Sequence, residues 1–159
     1  MKLPNKLHTL IGKLPVRLII SVIAGLITAT VLSFLTHEIL HLAGLFPAPR
    51  KPMFDTKLLL IDLFYHSLYA IIGAFITAKI AEEKAKKAVF ILGTKEAIMW
   101  LLGIILLWKH TPAWFNITKA VIGIPLAMLG GKIYTWYKDK KENGQKEIEK
   151  QTQKTTRKF

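Results

Sequence analysis

The sequence predicts an all-α polytopic membrane protein with four transmembrane helices and both termini in the cytoplasm. Three observations carry this: an apolar composition, four long apolar runs, and a one-sided distribution of Lys and Arg. Of 159 residues 52% are hydrophobic and the mean hydropathy is +0.34. That is too apolar for an ordinary soluble domain of this length, which has room for one domain. A hydrocarbon core is crossed by about 20 helical residues. Spans 18–40, 58–78, 88–108 and 117–137 each reach that length.

Span one, "LIISVIAGLITATVLSFLTHEIL", exceeds the roughly 7–15 apolar residues of a signal peptide, and no small-x-small site follows it. It is expected to be retained. "FPAPRKP", Phe46 to Pro52, then breaks the helix. Span two follows, and span three carries an ionisable pair, Lys95 and Glu96, well inside its apolar run. "KHTPAWFN", Lys109 to Asn116, turns the chain, with Trp108, Trp114 and Phe115 at interfacial depth. Pro125 is expected to kink span four, which a membrane helix tolerates. The tail 138–159 mixes 8 basic with 4 acidic residues and reads as disordered or a frayed helical extension.

Orientation follows from Lys and Arg, which accumulate on the cytoplasmic side. The N-terminus, the second connection, Lys132 and the tail hold 17 of them; Arg50, Lys51, Lys57, Lys109 and Lys119 give 5 on the other side. The expected location is therefore the bacterial inner membrane, multi-pass, with the lipid bilayer as the first partner. The net charge of +13 is mostly topological. Anionic lipid headgroups suit the basic tail, whereas no nucleic-acid recognition fold accompanies the charge. Lacking cysteine, the chain has no disulfides, thiolate metal sites or Cys nucleophiles.

Small and polar residues recur every four positions, which forms one seam along a helix. Span one carries Ser21, Gly25, Ala29, Ser33, His37 and His41; span two carries Asp62, His66, Ala70, Ala74 and Ala78; span four carries Gly123, Ala127 and Gly131. The seams of spans one and two are expected to face each other, and the span-four glycines could support a homo-oligomer. His37, His41, Asp62 and His66 would then share the outer leaflet, with His110 nearby.

His37-Glu38-Ile39-Leu40-His41 reads as H-E-x-x-H, the helical zinc pattern of metalloproteases, with Glu38 as catalytic base and Asp62 or His66 as a further ligand. The pattern fixes only three residues, and the usual Gly before the second His is Leu40. Three readings stand beside one another. The first is a structural or accessory protein in which these groups satisfy one another. The second is metal or proton binding or transport through His37, His41, Asp62, His66 and Glu96. The third, a minority reading, is a zinc hydrolase. An intramembrane carboxylate such as Glu96 needs protonation or a partner, while Lys95 can snorkel. Pointing about 100° apart, the two need not pair. No cofactor is implied beyond zinc.

The layout resembles a functionally uncharacterised family of small four-helix bacterial membrane proteins. The matching stretches are Glu38 to His41, "LFPAP" at 45–49, "ITAKIA" at 76–81, "HTPAWF" at 110–115 and "PLAMLGG" at 125–131. They span roughly residues 18 to 135, with Thr111 inserted between His110 and Pro112. The resemblance implies four helices and a role for Glu38 and His41, but it does not require His37. It implies no activity.

Overall fold

The computed structural model describes residues 5–47, 51–106 and 109–156, with side chains for 16–47, 51–106, 109–149 and 153. Pro49, Arg50, Trp108, Arg157 and Lys158, and the side chains of Lys6 and Lys13, lie outside them. Four α-helices follow in order: α1 (Asn5–Leu42), α2 (Thr56–Ala81), α3 (Ala85–Leu106) and α4 (Ala113–Thr156). Among the described residues there is no strand. Three helical stretches are long and apolar enough to cross a membrane: Val16–Leu42, Thr56–Leu106 and Ala113–Glu149.

Local chemistry sets the breaks. Gly44, at φ 72°, ends α1. Its N–H donates to the His41 carbonyl and that of Leu45 to the Leu40 carbonyl, the pairing of a Schellman cap. The chain then returns over the helix end, burying Phe46 against the His37 ring at 5.3 Å. Asp55 opens α2 by accepting from the N–H groups of Lys57 and Leu58. Between α2 and α3 lies a single 3-10 turn, Glu82–Lys84, whose first residue, Glu82, has φ 48°. There the chain reverses, since the His66 and Trp100 rings meet at 5.7 Å. Arg17 clasps this turn, donating Nε to the Ile80 carbonyl at 2.7 Å and pairing with Glu82 at 2.7 Å.

Small residues fill the interior and large apolar ones face outward. Gly25, Gly73, Ala74, Ala78, Ala88, Gly93 and Ala127 are buried, while Ile19, Ile27, Phe34, Ile39, Phe64 and Ile105 are exposed. Water would reverse that pattern; lipid permits it, because helices in a bilayer associate through close backbone contact. α1 runs antiparallel to α2, and α3 to α4, with α2 packed along both α1 and α4.

The expected facing of the first two seams is not what forms. α2 turns Tyr65, Tyr69, Gly73 and Thr77 to α1: Tyr69 bonds Thr36 at 2.8 Å, and Gly73 and Thr77 meet Gly25. The Asp62–Ala74 side turns to α4 instead, where Gly130 abuts Ile71 and Ala74. Gly123 and Gly131 pack on α3, so the span-four glycines serve contacts within the chain. α1 starts well before residue 18, and Pro125 sits in α4 without ending it. The segment after Tyr137 continues as helix to Thr156, as its Lys, Glu and Gln favour. Lys138 and Glu142 pair there at 3.7 Å, one turn apart.

Candidate functional site

At one end of the bundle an acid and a base are buried together. Asp62 on α2 and Lys119 on α4 are each 4% exposed. Lys119 Nζ donates to Asp62 Oδ2 at 2.5 Å. Two charges out of water are costly unless paired and otherwise hydrogen-bonded, and Asp62 meets both conditions. Tyr65, three residues on, donates its hydroxyl to Oδ1. His66, four residues on, holds Nδ1 3.3 Å from Oδ1 and 3.2 Å from the Asp62 carbonyl. Spacings of three and four put all three residues on one helical face. The ammonium is held on its other sides by Trp100 and Phe115, whose ring centroids lie 4.1 and 4.3 Å from Nζ.

The network continues to α1. His37 Nδ1 lies 3.3 Å from the Tyr65 hydroxyl. That hydroxyl gives its single hydrogen to Asp62, so it accepts from His37, which must carry its proton on Nδ1. Both acceptors at His66 Nδ1 are oxygens, which sets the same tautomer there. In each neutral ring Nε2 is left with the lone pair.

His41 turns elsewhere, with Nδ1 3.5 Å from the Phe46 carbonyl. Glu38 is half-buried and has neither hydrogen bond nor ion pair with a described residue. The expected metal set of His37, His41, Asp62 and His66 is therefore split: three join one network and His41 stands apart. Among the described residues no group of three or more His, Asp or Glu could hold a metal ion. The physical reason is that Asp62 faces α4, where an ammonium occupies the position a cation would take. His110, in the α3–α4 turn, keeps a buried Nδ1 with no hydrogen bond to a described residue.

Beside the pair lies a cavity of about 550 Å³ bordered by all four helices. His37, His66, Trp100 and Lys119 line it, together with Lys95 and Glu96. The last two, which the sequence left free to pair or not, do pair: Lys95 Nζ bends back to Glu96 Oε1 at 3.2 Å. A four-carbon stem makes that possible despite the angle between the residues. The remaining wall is mainly aliphatic, including Leu63, Leu92 and Leu126.

Lys119 and Tyr65 are the members of this network that the sequence did not single out. Lys119 reads as an outer loop cation, yet it stands four residues before Gly123, in register with Ala127 and Gly131. Tyr65 carries a comparable signal, since Tyr65, Tyr69, Gly73 and Thr77 repeat every four residues. Comparison with protein families, curated proteins and solved structures gives no match.

Proposed function

We propose that this chain is a multi-pass inner-membrane protein of four crossings, termini cytoplasmic, that binds a small molecule within the membrane. One observation carries the reading: the buried Lys119–Asp62 pair forms part of the border of an apolar-walled cavity of about 550 Å³. Small-molecule sites are concave, mostly apolar and about 300–1,000 Å³, with a few convergent polar groups fixing the ligand. Ionisable groups at membrane depth mark functional sites by default. Asp62 and Lys119 each lie six residues into their helices, about 9 Å from those helix starts, and Glu96 lies about 15 Å from the end of α3. The polar wall would thus run from the outer third toward the middle of the bilayer.

A continuous ion path has less support. Toward the cytoplasmic end the helices close on one another through Gly25–Gly73 and Gly130–Ala74 contacts. The zinc-hydrolase reading also has less support, with His41 turned to Phe46 and Glu38 outside the network.

Native mass spectrometry of the full chain from a mild non-ionic detergent tests the binding reading. Wild type should retain a small bound molecule. Ala70→Phe, which projects a ring from the cavity wall, should lose it while unfolding at the same temperature. Identical adduct patterns in the two proteins would sink the proposal.

A further inference from the structure

We infer that the occupant of this cavity is an uncharged amphiphile whose head donates a hydrogen bond through a hydroxyl, entering sideways from the lipid between α1 and α3. The inference rests on the binding reading above and adds the chemistry and the route. The route comes from packing. α1 holds to α2, and α3 to α4, but α1 and α3 scarcely touch. Along that gap the cavity is edged by Phe34 on α1 and by Met99, Leu102 and Leu106 on α3, all large, apolar and exposed. A hydrocarbon tail fits such an edge at no desolvation cost, whereas a wholly polar solute finds no partner there.

Charge balance selects an uncharged head. Each ammonium group at the cavity is paired with a carboxylate, Lys119 with Asp62 and Lys95 with Glu96. The other sides of Lys119 face the Trp100 and Phe115 rings. An ionic head of either sign would enter a mainly apolar space with no counter-charge left to meet it. An imidazolium at His37 or His66 would lack one for the same reason, so both rings are neutral.

The hydroxyl follows from where the hydrogens go. His37 spends its Nδ1 hydrogen on Tyr65, and His66 spends its own on the Asp62 oxygens. Both rings border the cavity, and neither Nε2 bonds a described residue or is buried without a partner. Each therefore presents a bare lone pair to an occupant. Ser67, also on the wall, gives its hydroxyl hydrogen to the Leu63 carbonyl at 2.6 Å and is left to accept. Three acceptors on two helices are thus fixed by bonds made behind them. A hydroxyl answers them; an ether, ester or ketone does not. The Lys95–Glu96 pair carries donors and acceptors alike and selects neither. Zinc is poorly served, because among the described residues no third ligand joins the two imidazoles.

The test uses Trp100 as reporter in the full-length protein, with Trp108, Trp114 and Trp136 replaced by Phe. Nanodiscs of phosphatidylcholine hold the protein, because that headgroup donates no hydrogen bond. Bromine quenches indole fluorescence at close range, so dibromostearyl alcohol and its methyl ether are titrated separately. Saturable quenching is expected for the alcohol at a concentration about three- to tenfold lower than for the ether. A decyl bromohydroquinone and its dimethyl ether form a second pair. Preference in the first pair alone identifies an aliphatic alcohol, in the second alone a phenol, and in both a hydroxyl of either kind. His37→Phe and Ser67→Ala should each reduce the preference without moving the ether, whereas His41→Phe should leave it intact. Equal quenching by each hydroxyl probe and its ether would leave a mere hydrocarbon groove and overturn the inference. So would a preference that survives both His37→Phe and Ser67→Ala, or tighter quenching by dibromostearic acid or dibromostearylamine. Absence of saturable quenching alongside a bound mass in the native spectrum would also overturn it, while the binding reading stood.

Discussion

Asp62 and Lys119 are stable at their depth only because they are together. Lys119→Met leaves a buried carboxylate with Tyr65 and His66 but no cation, which should cost about 3–5 kcal/mol. Asp62→Asn combined with Lys119→Met removes both charges and should cost far less than Lys119→Met alone, since an amide can keep the Tyr65 hydrogen bond. Reversible unfolding in mixed micelles would measure the difference, and equal losses would mean that the two groups act independently. The histidines separate in the same assay. His37→Ala breaks the link to Tyr65 and should cost about 1 kcal/mol. His41→Ala gives up only a 3.5 Å contact with a carbonyl and should stay within about 0.5 kcal/mol. A metal site built on both imidazoles would instead make the two losses alike. His37, Asp62 and His66 were legible in the sequence because polar groups in an apolar run stand out. Lys119 was not, since a lysine two residues into an apolar run resembles the end of a loop. Only the four-residue register shared with Gly123, Ala127 and Gly131 gives its facing away.

Helix contacts here are decided by whether a methyl group fits. A Cβ on Gly25 would lie 1.9 Å from the Thr77 hydroxyl and 2.4 Å from the Gly73 carbonyl oxygen. Thr77 can rotate; the Gly73 backbone cannot, so α1 and α2 must separate. Gly25→Ala should therefore lower stability by about 1–3 kcal/mol, the usual cost of overpacking. The same change at Gly123 meets nothing nearer than 3.6 Å. Gly123→Ala should be close to neutral, or slightly stabilising through helix propensity. Thermal unfolding of the two variants side by side checks this, and a Gly123 variant as weak as the Gly25 one would contradict it. The four-residue spacing located these packing seams in the sequence but could not assign their partners. Several faces of α2 bear small residues, so spacing alone does not say which one meets α1. Breaks were easier to read, because the prolines of "FPAPRKP" and "KHTPAWFN" act through local geometry that needs no neighbour.

For the whole molecule, the question that shapes every other is how often the chain crosses. The apolar stretch Thr56–Leu106 has 51 residues, about 77 Å if straight, more than twice a hydrocarbon core of about 30 Å. It folds back at Glu82, so Phe54 before α2 and Lys84 after it sit at opposite ends of one helix. Burial of Lys119 sharpens the charge bias as well: without it the sequence assigns 4 cations to the outer side against 17 to the other. In the proposed topology Lys84 lies with the termini and Phe54 across the membrane from them. Because the chain has no cysteine, a single introduced thiol reports alone. An impermeant maleimide applied to intact spheroplasts should label Phe54→Cys, whose parent side chain is exposed. It should reach Lys84→Cys and Lys140→Cys only after permeabilisation. Labelling of Phe54→Cys and Lys84→Cys from the same side would remove the hairpin crossing, leaving the Asp62–Lys119 pair outside any bilayer. Labelling of Lys140→Cys in intact spheroplasts, with Phe54→Cys protected, would invert the topology and turn the cavity toward the cytoplasm.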